Sequence, residues 1–270
     1  MSKLQTLLET YRPTEERPLV VVTGAGLSVA SGIPTFRGPD GYWTVGSEVY
    51  HPQDMATAAA FAEMPQEVWR WYLYRRAVCR AAEPNPAHQQ LVAWEEQFGD
   101  GFAVITQNVD GLHYRAGSSR ARTYEVHGSI DRMRDTVTGE RLDIPEDIVI
   151  PDRDTALEDE TFARLVNPAT GHPTRPHVLW FDEVYDEENY RFYTAIGQAT
   201  RAAICVVCGT SGAAAVPYHA VTAAVRNGAV LIDVSPDDNP FREIANEYGR
   251  GVALEATAVD GLAEIAAALP

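Results

Sequence analysis

Four short apolar runs in this sequence each end in glycine or polar residues that could bind a ligand. The runs cover residues 19–22, 102–105, 203–207 and 229–232. The residues just after these runs include glycines, an amide and a hydroxyl: Gly24, Gln107, Gly209 and Ser235. Glycine allows close backbone approach to a ligand, and amides and hydroxyls bond sugar or phosphate oxygens. Because ligands of open α/β sheets bind beyond the carboxyl ends of the strands, one common site is predicted.

The first of these segments is a glycine loop. Gly24, Ala25 and Gly26 precede Ser28, and backbone N–H groups at such a strand-to-helix turn can hold a pyrophosphate without a basic side chain. Val29 stands where the pattern G-x-G-x-x-G has its third glycine. Taken alone, the loop could equally be a tight turn.

Two further groups could do chemistry. Gln107, Asn108 and Asp110 follow the second apolar run, where an exposed amide pair and a carboxylate could reach sugar hydroxyls, although an Asx turn is an equal alternative. His127 lies between a predicted strand, residues 123–126, and a glycine. Since imidazole titrates near working pH, His127 could take a proton from a hydroxyl. His113 is the second choice for this base.

The charge balance excludes several classes of partner. There are 22 basic and 38 acidic residues, for a formal charge of −16, and Lys3 is the only lysine. A surface this acidic repels phosphate, so we expect neither nucleic acid nor anionic membranes as partners. Three cysteines cannot build a disulfide framework. No run approaches the ~20 apolar residues of a membrane span, and no signal peptide is evident, so we expect a cytoplasmic protein.

The order of elements indicates an α/β fold. Apolar runs alternate with amphipathic stretches, one of them over residues 186–200, which is typical of a Rossmann-like parallel sheet with helices on both faces. Two segments break this alternation: residues 49–87 are helical, and residues 131–175 are irregular and acidic. We predict that these two form a small inserted domain, while residues 1–48, 88–130 and 176–270 form the sheet domain.

Five ordered motifs resemble the sirtuin family of NAD-dependent protein lysine deacylases. They are GAGLSVASGIPTFRG at 24–38, TQNVDGLH at 106–113, HG at 127–128, RPHVLWF at 175–181 and GTS at 209–211. The resemblance spans residues 18–260 and implies NAD as a co-substrate. It also implies that acyl-lysine proteins or peptides are the partners.

The resemblance assigns roles to residues in these motifs. It implies that Phe36 and Arg37 cover the nicotinamide ribose, that Asn108 and Asp110 position ribose and nicotinamide, and that His127 is the catalytic base. Other residues would bind the nucleotide or receive the substrate peptide. The residues that would contact the nucleotide are Gly24, Ala25, Gly26, Ser28, Gln107, Gly209, Thr210 and Ser211. The residues that would contact the peptide are Val178, Trp180 and Phe181.

Two features depart from the sirtuin pattern. Asp135 stands where the first of four zinc cysteines is expected, and residues 136–175 contain no cysteine, so we predict no zinc. Cys205 and Cys208 are three apart in a predicted strand and would point to opposite faces. Ser235 stands where the family usually has an asparagine contacting the adenosine ribose, a contact that a hydroxyl can still make.

The helix around residues 68–78 bears on the acyl group. Tyr72 and Arg75 are three apart and share a helical face, where a phenol and a guanidinium suit a carboxylate. The segment resembles the sirtuin subclass that removes succinyl and malonyl groups, in which a Tyr-x-x-Arg pair binds the acyl carboxylate. An aromatic packing helix with solvated arginines is the alternative.

These observations predict an NAD-dependent lysine deacylase, with succinyl- or malonyl-lysine favoured over acetyl-lysine. Two other functions fit the same fold. One is an NAD glycohydrolase or mono-ADP-ribosyltransferase, in which water or a protein group attacks the ribose. The other is a non-catalytic module that binds NAD or ADP-ribose. The intact His127, Asn108 and Asp110 argue against the latter.

Overall fold

The computed structural model of the protein describes residues 2–35 and 52–269. The strands are β1 Leu19–Thr23, β2 Phe102–Thr106, β3 Thr123–Glu125, β4 Gly128–Asp135, β5 Arg141–Asp143, β6 Thr174–Val178, β7 Ile204–Cys208, β8 Val230–Val234 and β9 Gly251–Leu254. The helices are α1 Lys3–Thr10, α2 Pro52–Met55, α3 Ala58–Glu63, α4 Pro65–Ala81, α5 Pro86–Phe98, α6 Leu112–Ala116, α7 Asp159–Phe162, α8 Glu187–Tyr190, α9 Phe192–Arg201, α10 Ala215–Arg226, α11 Pro240–Glu247 and α12 Ala258–Ala268.

The larger sheet is parallel and has the strand order β3-β2-β1-β7-β8-β9. Both of its faces are buried, which is why its central strands are continuous apolar runs. Leu19 and Val21 of β1 pack into one core with side chains of α5 and α12, and Val20 and Val22 into a second core with α10 and α11. The α/β fold with helices on both faces is therefore confirmed.

Strand order reverses between β1 and β7, and the ends of the neighbouring strands are level there. Thr23, the last residue of β1, lies opposite Thr106 of β2 and Cys208 of β7. Such a reversal opens a crevice at the carboxyl ends of parallel strands. The segments singled out in the sequence leave the sheet at this crevice.

The second sheet is antiparallel, with the order β5-β4-β6. The expectation of an irregular segment over 131–175 was therefore wrong in part. Strand β4 alternates buried Met133 with the partly exposed Arg132 and Arg134, so its apolar content is low. Arg132 forms an ion pair with Asp143 across to β5. Charged residues occupy the partly exposed positions of β4, so an apolar pattern does not show this strand.

The predicted helix over 186–200 is two helices. Arg191 separates α8 from α9 in a left-handed conformation, with φ 51°, which costs about 1–2 kcal/mol in a residue other than glycine. Its guanidinium donates to the carbonyls of Arg120 and Ala121, at 2.8 and 3.2 Å, and lies 4.1 Å from the ring centre of Tyr124. These contacts offset the conformational cost.

Cys205 and Cys208 are buried on opposite faces of the larger sheet, each in a different core. Burial raises the pKa of Cys205 to about 12. Within residues 2–35 and 52–269, no group of three or more histidine, cysteine, aspartate or glutamate side chains is placed to hold a metal ion. In the same part of the chain, no helix is long and apolar enough to cross a bilayer.

Candidate active site

The glycine loop is packed directly against the turn after β7. Gly26 donates its N–H to the carbonyl of Gly209 at 2.8 Å. A Cβ at Gly26 would lie 2.6 Å from the Cα of Gly209, and one at Gly24 would lie 2.7 Å from its carbonyl oxygen. Glycine is required at both positions because the two backbones touch. The loop continues into a 3₁₀ helix, Ala25–Ser31, with Ser28 buried inside it.

Asn85 supports the glycine loop from behind. Its side-chain nitrogen donates to the carbonyl of Leu27 at 2.8 Å and to the hydroxyl of Ser31 at 2.9 Å, while its oxygen caps α5. Asn85 is the N-cap of α5, and Pro86 is the first residue of that helix. Its second contact joins residues 58 positions apart, so no local pattern could reveal it.

Ser28, Asn108 and Asp110 form a hydrogen-bonded cluster. The Ser28 hydroxyl donates to Asp110 at 2.7 Å, and the Asn108 amide donates to Ser28 at 3.1 Å. The other oxygen of Asp110 accepts from the N–H of Leu112 at 2.9 Å. Asn108 is only 8% exposed, so the expectation of an exposed amide at this position was wrong, and Asp110 is likewise buried at 6%. The hydrogen bonds of Asn108 and Asp110 to Ser28 fix the position of the glycine loop relative to the end of β2.

Gln107 joins the ends of three strands. Its amide donates to the carbonyl of Thr23 and to the hydroxyl of Thr210, at 3.2 and 3.1 Å. Thr210 is buried and Ser211 is exposed. Ser235 lies after the next strand, β8, and its hydroxyl accepts from the N–H of Asp237 at 3.3 Å.

His127 is oriented through both ring nitrogens. Nδ1 lies 3.1 Å from the carbonyl of Gln107. Because a carbonyl only accepts, Nδ1 carries the proton and Nε2 is the acceptor. Nε2 accepts from the hydroxyl of Tyr185 at 2.9 Å. Burial lowers the pKa of His127 to about 4, although the Gln107 carbonyl opposes the shift. The imidazole is therefore neutral near pH 7, with its basic nitrogen on the Tyr185 side.

The other candidate base, His113, is buried beneath the crevice. Its Nε2 lies 3.2 Å from the hydroxyl of Thr23, and its ring centre is 5.3 Å from that of His88. Burial lowers the pKa of His113 to about 4. His113 packs in the interior between β1 and α5.

The segment after β6 is held from both sides. Trp180 is buried and donates its indole N–H to the side-chain oxygen of Tyr72 at 3.0 Å. The guanidinium of Arg175 lies 3.3 Å from the Trp180 ring centre, donates to the carbonyl of Val178 at 2.9 Å and pairs with Glu183. Val178 is buried with Tyr72 and Trp180 in one core, whereas Phe181 is 60% exposed.

Tyr72 and Arg75 lie together on α4, and both are buried. The Arg75 guanidinium is 4.6 Å from the ring centre of Trp71 and 5.8 Å from that of Tyr72. Burial raises the pKa of Tyr72 to about 12, although the charge of Arg75 opposes this. Tyr72 thus stays protonated and can donate beside a cation.

Asp135 organises the end of β4. Its buried carboxylate accepts from the N–H groups of Val137 and Thr138, the amide of Asn167, the hydroxyl of Thr170 and Nδ1 of His172, at 2.8 to 3.3 Å. Burial alone would raise the pKa of Asp135, but these bonds outweigh it and hold the pKa below its usual range. Asp135 therefore ties together two turns of the small sheet.

Phe36 and Arg37 lie outside the described residues. Most of the remaining candidates fall into two groups. The group around the crevice comprises Gly24, Ser28, Gln107, Asn108, Asp110, His127 and Thr210. In the second group, Tyr72 packs with Val178 and Trp180, and Arg75 lies beside Tyr72 on α4. Sequence reasoning assigned no site role to Asn85, Arg175 or Tyr185. Asn85 and Tyr185 act through contacts 58 positions away in the chain, whereas Arg175 contacts Val178, Trp180 and Glu183, which lie within eight residues of it.

Comparison with known proteins identifies the family. The model of the Sir2 family matches residues 24–216, and the chain belongs to this family. An NAD-dependent protein deacylase of Thermus thermophilus is 37% identical over 265 residues, which cover 96% of this chain and 94% of the relative. An NAD-dependent protein deacylase of Aeropyrum pernix is 40% identical over 236 residues, which cover 87% of this chain and 88% of the relative.

Solved structures of Sir2 homologues have the same fold. A mutant Sir2 homologue in complex with ADP-ribose has a TM-score of 0.79 at 30% identity and covers 100% of this chain and 96% of its own. A complex of a Sir2 homologue with NAD has a TM-score of 0.74 at 30% identity, covering 99% of this chain and 94% of its own.

Proposed function

We propose that this protein is an NAD-dependent protein lysine deacylase that prefers succinyl- or malonyl-lysine. The observation that carries the acyl preference is the buried pair Tyr72 and Arg75, placed beside the Trp180 segment. The membership of the Sir2 family and the names of the relatives support the deacylase activity.

NAD fits the crevice beyond the larger sheet. The cradle formed by Gly24, Gly26 and Gly209 has no side chains, because any Cβ there would collide with the facing backbone. The N–H groups of Gly24, Gly26 and Gly209 themselves donate to the carbonyls of Cys208, Gly209 and Val234 and hold the shape of the cradle. A pyrophosphate is therefore proposed to bind other N–H groups at the start of the 3₁₀ helix, where no basic residue is needed. Asn108 and Asp110 lie beside this cradle and are proposed to position the nicotinamide and its ribose. Thr210, Ser211 and Ser235 are proposed to bind the adenosine half.

Bound NAD supplies an electrophilic ribose carbon with nicotinamide as its leaving group, and the acyl oxygen of the substrate forms the new bond. The protein itself orients both reactants and transfers a proton. His127 is neutral with Nε2 as its acceptor, so it can take the proton of a ribose hydroxyl as general base. With one water consumed, and the lysine amine leaving as the proton-accepting group, the products are nicotinamide, free lysine and O-acyl-ADP-ribose.

The Tyr72 and Arg75 pair is proposed to bind the carboxylate of the acyl group. The Tyr72 oxygen accepts from Trp180, so its hydroxyl proton is available to donate. A buried guanidinium and a buried phenol on one helix can form charge-assisted hydrogen bonds with a carboxylate. Val178 and Trp180 pack in one core with Tyr72, so this core would hold the acyl chain next to the peptide segment.

The two sheets support the proposed division into domains. The parallel sheet has cores on both faces, whereas Trp69 and Leu73 of α4 form a separate core with Met133, Ile144 and Leu165 of the small sheet region. We propose that Asp135, rather than a zinc ion, stabilises this smaller unit.

Incubation with NAD and peptides carrying succinyl-, malonyl- or acetyl-lysine, followed by mass spectrometry, tests the function. We expect O-succinyl- or O-malonyl-ADP-ribose to form faster than the acetyl product. ADP-ribose formed equally without peptide would instead indicate a glycohydrolase, and a labelled protein product a transferase. Binding of NAD without turnover would indicate a non-catalytic module.

A further inference from the structure

Tyr185 contacts the atom on which the proposed chemistry depends. It lies between β6 and α8, in a segment without regular structure, and its hydroxyl donates to Nε2 of His127 at 2.9 Å. A ring nitrogen has a single lone pair, directed in the plane of the ring. Nε2 therefore accepts one strong hydrogen bond at a time, and Tyr185 already makes it.

The position of the Tyr185 ring is fixed by its neighbours. It stacks on Phe192, the first residue of α9, with ring centres 4.7 Å apart and an interplanar angle of 18°. It also lies nearly parallel to the imidazole of His127, at 5.8 Å and 23°. The following residue, Asp186, caps α8 through the N–H of Asn189 at 2.6 Å. The contact with His127 is thus built by packing on two helices.

Tyr185 is also close in sequence to the proposed peptide segment. Phe181 and Val184 precede it and are 60% and 82% exposed. A peptide bound along Val178 to Phe181 would cover this stretch. Binding of such a peptide would therefore affect the placement of Tyr185, because only Asp182, Glu183 and Val184 separate it from Phe181.

We propose that Tyr185 is a positioning residue for the base: its hydroxyl holds His127 in the free protein and yields Nε2 to the ribose hydroxyl when both substrates are bound. The inference rests on the proposed function, because it takes His127 to be the base. It assigns to Tyr185 a role that no motif in the sequence indicates.

A donor on Nε2 stabilises the neutral imidazole, so its loss should raise the pKa of His127. The hydrogen bond is neutral and partly buried, which corresponds to a shift of about 0.4–1 pH unit. The pKa of Tyr185 is raised by burial to about 12, so it donates throughout the working range.

Ionisable groups on the elements around His127 have other partners. Asp110 is bonded to Ser28 and Glu183 to Arg175, while Asp186 caps α8. His219 of α10 meets the edge of the Phe192 ring. Burial raises the pKa of Glu125, on β3, to about 8, while Arg120 and Tyr114 oppose the shift. Because none of these pairings involves the Tyr185 hydroxyl, replacing Tyr185 by phenylalanine should leave them in place.

The test compares Tyr185→Phe with the wild type, and Tyr193→Phe serves as the control. Tyr193 stands next to Phe192 and is 66% exposed. In the free protein at pH 7.5, the ¹⁵N resonance of His127 Nε2, assigned with His127→Gln, should shift in Tyr185→Phe and not in Tyr193→Phe. The acidic limb of kcat/KM, which reports the free enzyme, should move up by about 0.4–1 pH unit, while that of kcat stays in place.

An unchanged Nε2 resonance in Tyr185→Phe would overturn the inference, and so would acidic limbs of kcat/KM and kcat that move together. The resonance is measured without turnover. A wild-type protein that makes no O-acyl-ADP-ribose would therefore refute the proposed function separately from the Tyr185 contact.

Discussion

The indole nitrogen of Trp180 donates a hydrogen bond to the side-chain oxygen of Tyr72, although the two residues are 108 positions apart in the chain. The bond connects α4 with the segment after β6, and both side chains are buried. It therefore fixes the distance between the proposed acyl-carboxylate site and the proposed peptide segment. The orientation of the Tyr72 hydroxyl follows from the same bond.

Tyr72→Phe removes this acceptor and should affect both activity and stability. The buried Trp180 N–H loses its partner, which costs about 1–3 kcal/mol of unfolding free energy. Desuccinylation should fall by less than with a change at Arg75, because only a neutral hydroxyl is lost. Chemical denaturation and kinetics with succinyl and acetyl peptides measure the two effects. Stability and acyl preference both equal to those of the wild type would contradict the account.

Asp135→Asn should destabilise the small sheet. The carboxylate accepts five hydrogen bonds, and an amide in its place presents N–H groups to donors. We expect the melting temperature to fall by several degrees in a thermal scan. Glu158→Gln is the control, since Glu158 is exposed and its side chain makes no cap bond.

The same scan with and without a chelator tests the proposal that Asp135 replaces zinc. The melting temperature of the wild type should be equal in both conditions. A melting temperature lowered by chelator, or an Asp135→Asn variant as stable as the wild type, would count against this role.

The central strands could be predicted from sequence because burial on both faces requires continuous apolar runs. The small sheet could not, since β4 contains Arg132, Arg134 and Asp135, whose partners lie in other segments. The break at Arg191 was also hidden, because its left-handed conformation is supported by carbonyls about 70 residues away.

Buried histidines should make the protein less stable in mild acid. Burial lowers the pKa of His88, His113 and His127 to about 4, whereas the unfolded value is about 6.5. Between these values the unfolded chain binds more protons, so stability falls as the pH decreases from about 6.5 to about 4. Glu125 acts in the opposite direction, because its folded pKa of about 8 is raised.

His88→Gln isolates the contribution of one histidine. His88 accepts from the N–H of Asn85 at the start of α5, a contact that glutamine can also make in a capping box. The difference in unfolding free energy between pH 7 and pH 5 should become smaller in this variant and remain unchanged in His219→Gln, where the side chain is exposed. Equal pH dependence in His88→Gln and wild type would show that His88 does not titrate on unfolding.

His127→Ala should abolish turnover and leave NAD binding nearly intact. General-base losses are typically ~10²–10⁴-fold, and the glycine cradle does not involve the imidazole. Calorimetry with NAD and single-turnover assays measure the two effects, with His219→Ala as the control. Activity above about half of the wild-type value would exclude His127 as the base.

The kinds of side chain at the site could be predicted from the sequence, but the hydrogen bonds between these side chains could not. The amide of Asn108 was expected to be exposed, yet its hydrogen bond to Ser28 places it in a buried cluster with Asp110. The pairing of His127 with Tyr185 joins residues 58 positions apart. Sequence spacing shows which residues follow a strand, whereas the hydrogen bonds depend on how the strands are placed.

The ratio of desuccinylation to deacetylation in Arg75→Met tests the central claim most directly. The substitution leaves an acyl carboxylate without its charged partner, which costs on the order of 2–5 kcal/mol. Desuccinylation should therefore fall by roughly two orders of magnitude or more, while deacetylation stays level or improves because the site becomes more apolar. Arg70→Met, on the same helix, should leave the ratio unchanged. An unaltered preference for succinyl over acetyl peptides in Arg75→Met would contradict the account.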